Sequence, residues 1–94
     1  MDELEKNFNN YTILIKQSKL ENINNNDKLY LYAHYKQALF GNNNNEKPSI
    51  FDRIEMAKWK EWNSLKDTSK ETAMENYIKK VKELLYSHHR KNLY

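Results

Sequence analysis

Two lysines, Lys36 and Lys58, stand on helical stripes otherwise built from aromatic and aliphatic residues. Helical spacing aligns Leu29, Tyr32, Ala33, Lys36 and Phe40, with Tyr35 alongside; downstream, Phe51, Ile54, Lys58, Trp62 and Leu65 repeat the arrangement. An unpaired ammonium among apolar groups is costly, so either an anion lies close by or the lysine stem covers the core while its head reaches water. Tyr32, Tyr35 and Lys36 fall at i, i+3 and i+4, which turns two phenols and an ammonium toward one region of helix surface. Joined by Lys58 and Tyr77 from other helices, such a set suits a phosphorylated aromatic ligand: ammonium meets phosphate, one ring stacks on a base, and another phenol donates a hydrogen bond. Helix-packing tyrosines with lysines snorkelling beside them fit the same spacing, and spacing alone leaves both readings open.

Other chemistry is poorly provided for. The chain has no cysteine and three histidines, His34 and the pair His88 and His89, which we read as isolated surface groups. No serine or acid stands in a triad or glycine-elbow context. His88 and His89 diverge by about 100° on a helix, and no cysteine or aspartate completes a metal set. A single glycine rules out a glycine-rich phosphate cradle. The sequence therefore predicts no catalytic residue, no metal and no cofactor.

The elements that must position these side chains are helices. One Gly and one Pro, with abundant Leu, Lys, Glu and Ala, point to an all-α chain, and 94 residues fit one domain. Leu4, Phe8, Tyr11 and Ile15 mark a first helix over about 3–18. A second, over about 27–40, follows the tract from Asn24 to Asp27, which supplies N-caps, and stops at Gly41 in a left-handed C-cap. Asn42 to Ser49 is then a loop, with Pro48 near its end, long enough to cross the domain. A third helix spans about 51–65, and Lys66 and Asp67 make its turn. Thr68 and Glu71 have capping-box spacing ahead of a fourth helix over about 69–88. That helix sets Ala73, Met74, Tyr77, Ile78, Val81, Leu84 and Leu85 on one face and Glu75, Asn76, Lys79, Lys80, Lys82 and Glu83 on the other. Trp59 and Trp62 are read as core.

Mean hydropathy of -1.10 reflects Asn and Lys in turns and on outer faces, while seven Tyr, three Phe and two Trp supply a core. No apolar stretch approaches the roughly 18 residues of a membrane span, and the acidic start Met1 to Glu5 is unlike a targeting peptide, which makes a cytoplasmic location the expectation. A net charge of +3 favours anionic partners.

Four ordered blocks then lend the chain a likeness. Tyr32-Ala-His-Tyr-Lys-Gln-Ala38, Gly41 with Pro48 seven residues later, Ala57-Lys-Trp-Lys-Glu-Trp-Asn-Ser-Leu-Lys66 and Ala73-Met-Glu-Asn-Tyr-Ile78 closely resemble the acyl-CoA-binding protein family, co-linearly from about Phe8 to Leu84. The resemblance implies a single-domain, up-down-down-up four-helix bundle, with the loop after Gly41 as the overhand connection. It implies that Tyr32, Lys36 and Lys58 hold the 3'-phosphate of coenzyme A, that Tyr35 stacks on adenine, and that Tyr77 lines the nucleotide site. Lys16 matches a family lysine near the adenine, and Ala33 and His34 join the ligand-binding set from within the same block. The acyl chain would lie in a groove over the bundle. Glu55 and Met56 stand where members commonly show Gly and then Lys or Arg, and Asp67 replaces a frequent Gly. Losing a cation at 56 removes a supplementary phosphate contact and places a flexible apolar side chain near the groove.

The expected function is a monomeric carrier and buffer of long-chain fatty acyl-CoA esters in lipid metabolism, delivering them transiently to acyl-CoA-using enzymes without breaking a bond, with neither nucleic acid nor stable membrane insertion. The alternative is a small basic helical domain that binds nucleic acid, since Lys, Trp and Tyr equally suit phosphate contact and base stacking. Glu3, Glu5, Glu55, Glu61, Glu71, Glu75 and Glu83 interrupt the basic face that reading requires. An interaction module or membrane adhesin built on the fourth helix ranks last, because that helix has too few aromatics for an interfacial binder.

Overall fold

Each helix starts where a short polar side chain turns back to accept a backbone N–H three residues on. Asp2 caps α1 (Glu3–Gln17) through the Glu5 amide, Asn24 caps α2 (Asn25–Phe40) through Asp27, and Asp52 caps α3 (Arg53–Asn63) through Glu55. Ser69 Oγ accepts from the Thr72 amide at 3.0 Å ahead of α4 (Lys70–Lys91). The computed structural model describes residues 2–20 and 23–91, with side chains as far as residue 88.

The caps account for the shifted boundaries. The Asn tract is capped from within, so α2 begins at Asn25 and not after the tract. Asp52 displaces the start of α3 to Arg53, leaving Ile50 and Phe51 in a turn outside the helix. The hydroxyl that caps α4 belongs to Ser69 and not Thr68, with Thr72 Oγ1 accepting from it at 2.9 Å, so a Ser69 cap replaces the Thr68 and Glu71 box. Gly41 takes the expected positive φ of 75°, but its ψ of -146° lies outside the left-handed helical well, in the region essentially reserved for glycine. Asp67 also holds a positive φ, 70°, and its amide donates to Asn42 Oδ1 at 2.8 Å, which ties the α3–α4 turn to the α2–α3 loop.

Side-chain pairings give the helix directions. Along α2 and α3, Tyr32 meets Lys58 and then Lys36, Gln37 and Phe40 meet Trp62, so the numbers rise together and the helices run parallel. Between α2 and α4, Asp27 meets Lys80, Tyr35 meets Tyr77 and Gln37 meets Thr68 just ahead of α4, an antiparallel order. Phe8 against Tyr77 and Tyr11 beneath Lys82 make α1 parallel to α4. The order is up, down, down, up, and the parallel α2–α3 pair requires the long loop between them. Phe8, Ala38, Ala73, Tyr77 and Val81 form the buried centre, with Tyr11, Ile15, Leu31, Tyr35, Met74, Ile78 and Leu85 packed around it. Among the described elements α3 packs on α2 alone, so one of its sides stays open.

Four residues land elsewhere than their spacing predicts. Phe51 and Ile54 are exposed and do not extend the Trp62 stripe into the core: Phe51 lies in the turn ahead of α3, and Ile54 lines an open hollow between α2 and α3. Trp59 is only half-buried, its Nε1 donating to the Asn45 carbonyl at 2.9 Å, so it pins the loop instead of filling the core. Met56 is buried at the margin of the core set and does not line the groove. The signal that periodicity missed is Gln37, fully buried on α2. Its Nε2 donates to the Thr68 carbonyl at 2.8 Å and Asn42 Oδ1 at 3.0 Å, and its Oε1 accepts from Trp62 Nε1 at 3.1 Å. One amide thereby joins α2, the loop, α3 and the α3–α4 turn.

Candidate functional site

The parallel α2–α3 pair places Tyr32, Lys36 and Lys58 in one cluster. Lys58 Nζ lies 4.9 Å and Lys36 Nζ 5.8 Å from the centroid of the Tyr32 ring, and Lys36 Nζ also stands 5.1 Å from the Phe40 ring and 5.9 Å from the Trp62 ring. Ring faces attract the ammonium weakly, by about 0.5–1 kcal/mol at an accessible site, and cannot neutralise its charge. Lys58 has a partial counter-ion in Glu55 at 3.5 Å, with the lysine side chain 34% exposed. Lys36 is in no ion pair among the described residues. The cluster is a half-dry pair of cations of which one lacks a carboxylate, an arrangement whose charge an anion would balance.

Hollows run along the same seam. One, about 520 Å³, is lined by Asn25, Lys28, Leu29, Tyr32, Arg53, Ile54, Ala57 and Lys58. A second, about 430 Å³, lies between Lys36, Phe40 and Trp62 and the loop residues Asn42, Asn44 and Asn45. Tyr32 and Trp62 both border a smaller space that links the two linings, with Pro48, Glu55 and Trp59 on its walls. The first is mainly apolar and within the size range of small-molecule sites; Lys28 and Lys58 belong to its lining, and Lys36 to that of the second.

Tyr35 and Tyr77 form a neighbouring group instead of converging on Lys36. Tyr35 turns toward α1 and α4, its ring centroid 6.0 Å from Phe8 and 6.2 Å from Tyr77, because the core claims that face of α2. Burial, and secondarily the Tyr35 phenol, push Tyr77 up to about 12, so its hydroxyl stays protonated at neutral pH and able to donate. Among the described residues that hydroxyl has no hydrogen-bond partner, yet it is not sealed from solvent. Tyr77→Phe should therefore leave thermal stability almost unchanged, and Tyr77→Ala should cost about 3–5 kcal/mol through the cavity left beside Phe8. Chemical denaturation of the two variants separates ring from hydroxyl.

The remaining predicted residues lie apart. Lys16 is exposed in the last turn of α1, where its charge complements the helix C-terminus, and no ion pair joins it to the cluster. Ala33 is buried. His34 is only 4% exposed, which corrects its reading as a surface group. It stacks on Tyr30 at 4.0 Å and its Nδ1 donates to the Tyr30 carbonyl at 2.8 Å. Two residues from Lys36 and from Tyr32, it faces away from both. His88 is partly exposed, and the side chain of His89 lies outside the described residues. No group of three or more His, Cys, Asp or Glu able to hold a metal ion is found among the described residues.

Burial holds His34 below the ordinary histidine range, against the Tyr30 carbonyl and Glu61, which pull upward. The folded state thus binds fewer protons here than the unfolded chain once pH falls below the ordinary value, so this group's contribution is intact above that value and is lost toward acid. From about pH 7.5 to about pH 5.5 the melting temperature of the wild type should fall more than that of His34→Gln. Parallel thermal melts at the two pH values test this.

A parallel α2–α3 pair carrying two cations over one tyrosine, in an up-down-down-up bundle, defines a small helical ligand-binding protein. The acyl-CoA-binding protein family model matches residues 5–81, and the chain belongs to that family. It is 43% identical over 82 residues to acyl-CoA-binding domain-containing protein 1 of Oryza sativa subsp. japonica, covering 87% of this chain and 89% of that protein. It is 48% identical over 66 residues to the acyl-CoA-binding domain-containing protein 6 homolog of Dictyostelium discoideum, covering 70% of this chain but only 23% of that protein. About half, 52%, of acyl-CoA-binding domain-containing protein 3 of the same rice is spanned at 43% identity over 86% of this chain. The crystal structure of Oryza sativa acyl-CoA-binding protein 2 superposes with a TM-score of 0.87 at 38% identity, over 93% of this chain and 96% of that one.

Proposed function

We propose that this chain binds long-chain fatty acyl-CoA esters and acts as an intracellular, cytoplasmic carrier and buffer of them, breaking no bond. The observation that carries the reading is Lys36: an ammonium among three rings, in no ion pair among the described residues, beside a hollow bordered by Phe40 and Trp62 that a smaller space joins to the apolar α2–α3 hollow at Tyr32. A ligand that joins a phosphate to an aliphatic chain uses both features. In this reading Tyr32, Lys36 and Lys58 hold the 3'-phosphate of coenzyme A, Tyr35 and Tyr77 serve the adenine side, and Lys16 adds a flanking charge. Ala33 and His34 act from the core by setting the pitch and position of α2. The acyl chain occupies the α2–α3 hollow.

A carrier has a physical purpose. Each methylene is worth about 0.8 kcal/mol of transfer free energy, so a long-chain ester free in water partitions into membranes and micelles unless a protein shields it. The monomer would pass its cargo transiently to enzymes that use acyl-CoA. No helix among the described residues is long and apolar enough to cross a membrane. A nucleic-acid role is disfavoured because acids interrupt the basic surface, Glu55 pairing with Lys58, and Asp27 and Glu83 with Lys80.

Calorimetric titration with saturated acyl-CoAs of graded length, beside free coenzyme A and the matching fatty acids, tests the proposal. Affinity should climb with chain length and be high only when chain and nucleotide are joined. Equal affinity for free coenzyme A and its long-chain ester would overturn the assignment of the hollow.

A further inference from the structure

Among the described residues, Glu55 is the one carboxylate within ion-pair distance of either lysine of the Tyr32 cluster. Its Oε1 lies 3.5 Å from Lys58 Nζ, and that Nζ stands 4.9 Å from the centroid of the Tyr32 ring. The same glutamate borders the small space between the two hollows, together with Tyr32, Trp59 and Trp62. Its carboxylate therefore sits beside the place where the proposed function puts a phosphate.

Ordinary roles explain part of this placement. Glu55 falls in the first turn of α3, where a negative charge suits the helix dipole, and it lies three residues before Lys58 on the helix surface. Neither role requires a carboxylate next to an anion site. The pair is also loose: 3.5 Å is well beyond the roughly 2.7–2.9 Å of a strong charge-assisted hydrogen bond, and the glutamate and lysine side chains are 53% and 34% exposed. Water already reaches both ends, so parting them carries little desolvation cost.

We propose that Glu55 competes with the 3'-phosphate of the ligand for Lys58, holding the ammonium in the unliganded protein and giving it up when the phosphate arrives. This rests on the acyl-CoA reading of the cluster and identifies a residue that limits affinity there. The phosphate prevails because it brings more charge and more acceptor oxygens than a carboxylate. The displaced carboxylate stays near the phosphate, and their repulsion subtracts from binding. Lys36, in no ion pair among the described residues, meets no such competitor, so the two cations of the cluster contribute unequally. A carrier must also release its cargo, and a carboxylate that reclaims Lys58 keeps the nucleotide end from being held too tightly.

The test compares wild type, Glu55→Gln and Glu46→Gln by calorimetric titration with octanoyl-CoA and its dephospho analogue, at low and at high salt. Glu46 borders the same space from the loop but is in no ion pair among the described residues, so it reports the effect of a nearby charge alone. Glu55→Gln should bind octanoyl-CoA about three- to tenfold more tightly than wild type at low salt, with a smaller gain at high salt. It should bind the dephospho analogue within about twofold of wild type, as Glu46→Gln should bind both ligands. A purely structural role for Glu55 would move thermal stability, or both ligands equally, and not the difference between them. Unchanged octanoyl-CoA affinity in Glu55→Gln, an equal gain for both ligands, or an equal gain in Glu46→Gln would overturn the competition. If wild type itself did not prefer octanoyl-CoA to the dephospho analogue, the phosphate assignment beneath the proposal would fall with it; a wild-type preference without a gain in Glu55→Gln would remove the competition alone.

Discussion

Replacing Lys36 by alanine is expected to lower acyl-CoA affinity by roughly tenfold to over a hundredfold, the worth of about 1.5–3 kcal/mol for a hydrogen bond to a charged group. The fold should survive. Lys36 leaves no carboxylate orphaned, since no ion pair among the described residues includes it, and its contacts with Tyr32, Phe40 and Trp62 are ring faces. Their loss should cost no more than about 1 kcal/mol. Lys58→Ala should weaken binding less, because Glu55 at 3.5 Å already compensates part of its charge. Calorimetry and thermal melts on both variants give the comparison; wild-type affinity in Lys36→Ala would remove the phosphate assignment.

A large loss of stability is expected at Gln37. Truncation to alanine leaves a cavity at a fully buried position and strips the Thr68 carbonyl of its donor. Trp62 Nε1 keeps a second acceptor in the Gly41 carbonyl at 3.0 Å, and Asn42 Oδ1 keeps the Asp67 amide, which limits the damage. Cavity and orphaned carbonyl together should cost about 2–5 kcal/mol. At about 4–8 °C per kcal/mol for a domain of this size, the melting temperature should drop by more than about 8 °C. Gln37→Leu, which fills the space but cannot bond, should fall between alanine and wild type. If all three unfold together, the hub does not hold the loop, and the position of Trp62 must be maintained by packing alone.

The helices themselves were legible because their signals are local. The Phe8 stripe of α1 and the Ala73, Tyr77, Val81 face of α4 are buried as their periodicity predicts, since each packs on a partner along its length. The α3 pattern misled because Phe51 and Ile54 have helical spacing with Trp62, but periodicity reveals neither the turn that holds Phe51 nor the open hollow that Ile54 lines. Tyr35 misled similarly, because i, i+3, i+4 spacing permits convergence with Lys36 while Phe8, about 90 Å away in a fully extended chain but adjacent in the fold, draws the ring into the core. Lys36 and Lys58 were legible as a pair of cations on apolar stripes. Their meeting over Tyr32 depends on the parallel order of α2 and α3, which rests on the loop and on Gln37, whose partners are five to thirty-one residues distant.

The most direct measurement of the central claim is a double-mutant cycle in which one member is the ligand. Wild type and Lys36→Ala are each titrated with an acyl-CoA and with its dephospho analogue lacking the 3'-phosphate, at fixed salt. If Lys36 acts on that phosphate, deleting either partner removes most of the interaction, and deleting both costs little more than deleting one. Losses that add within about 0.5 kcal/mol would contradict the account, because the lysine would then be acting on some other part of the ligand.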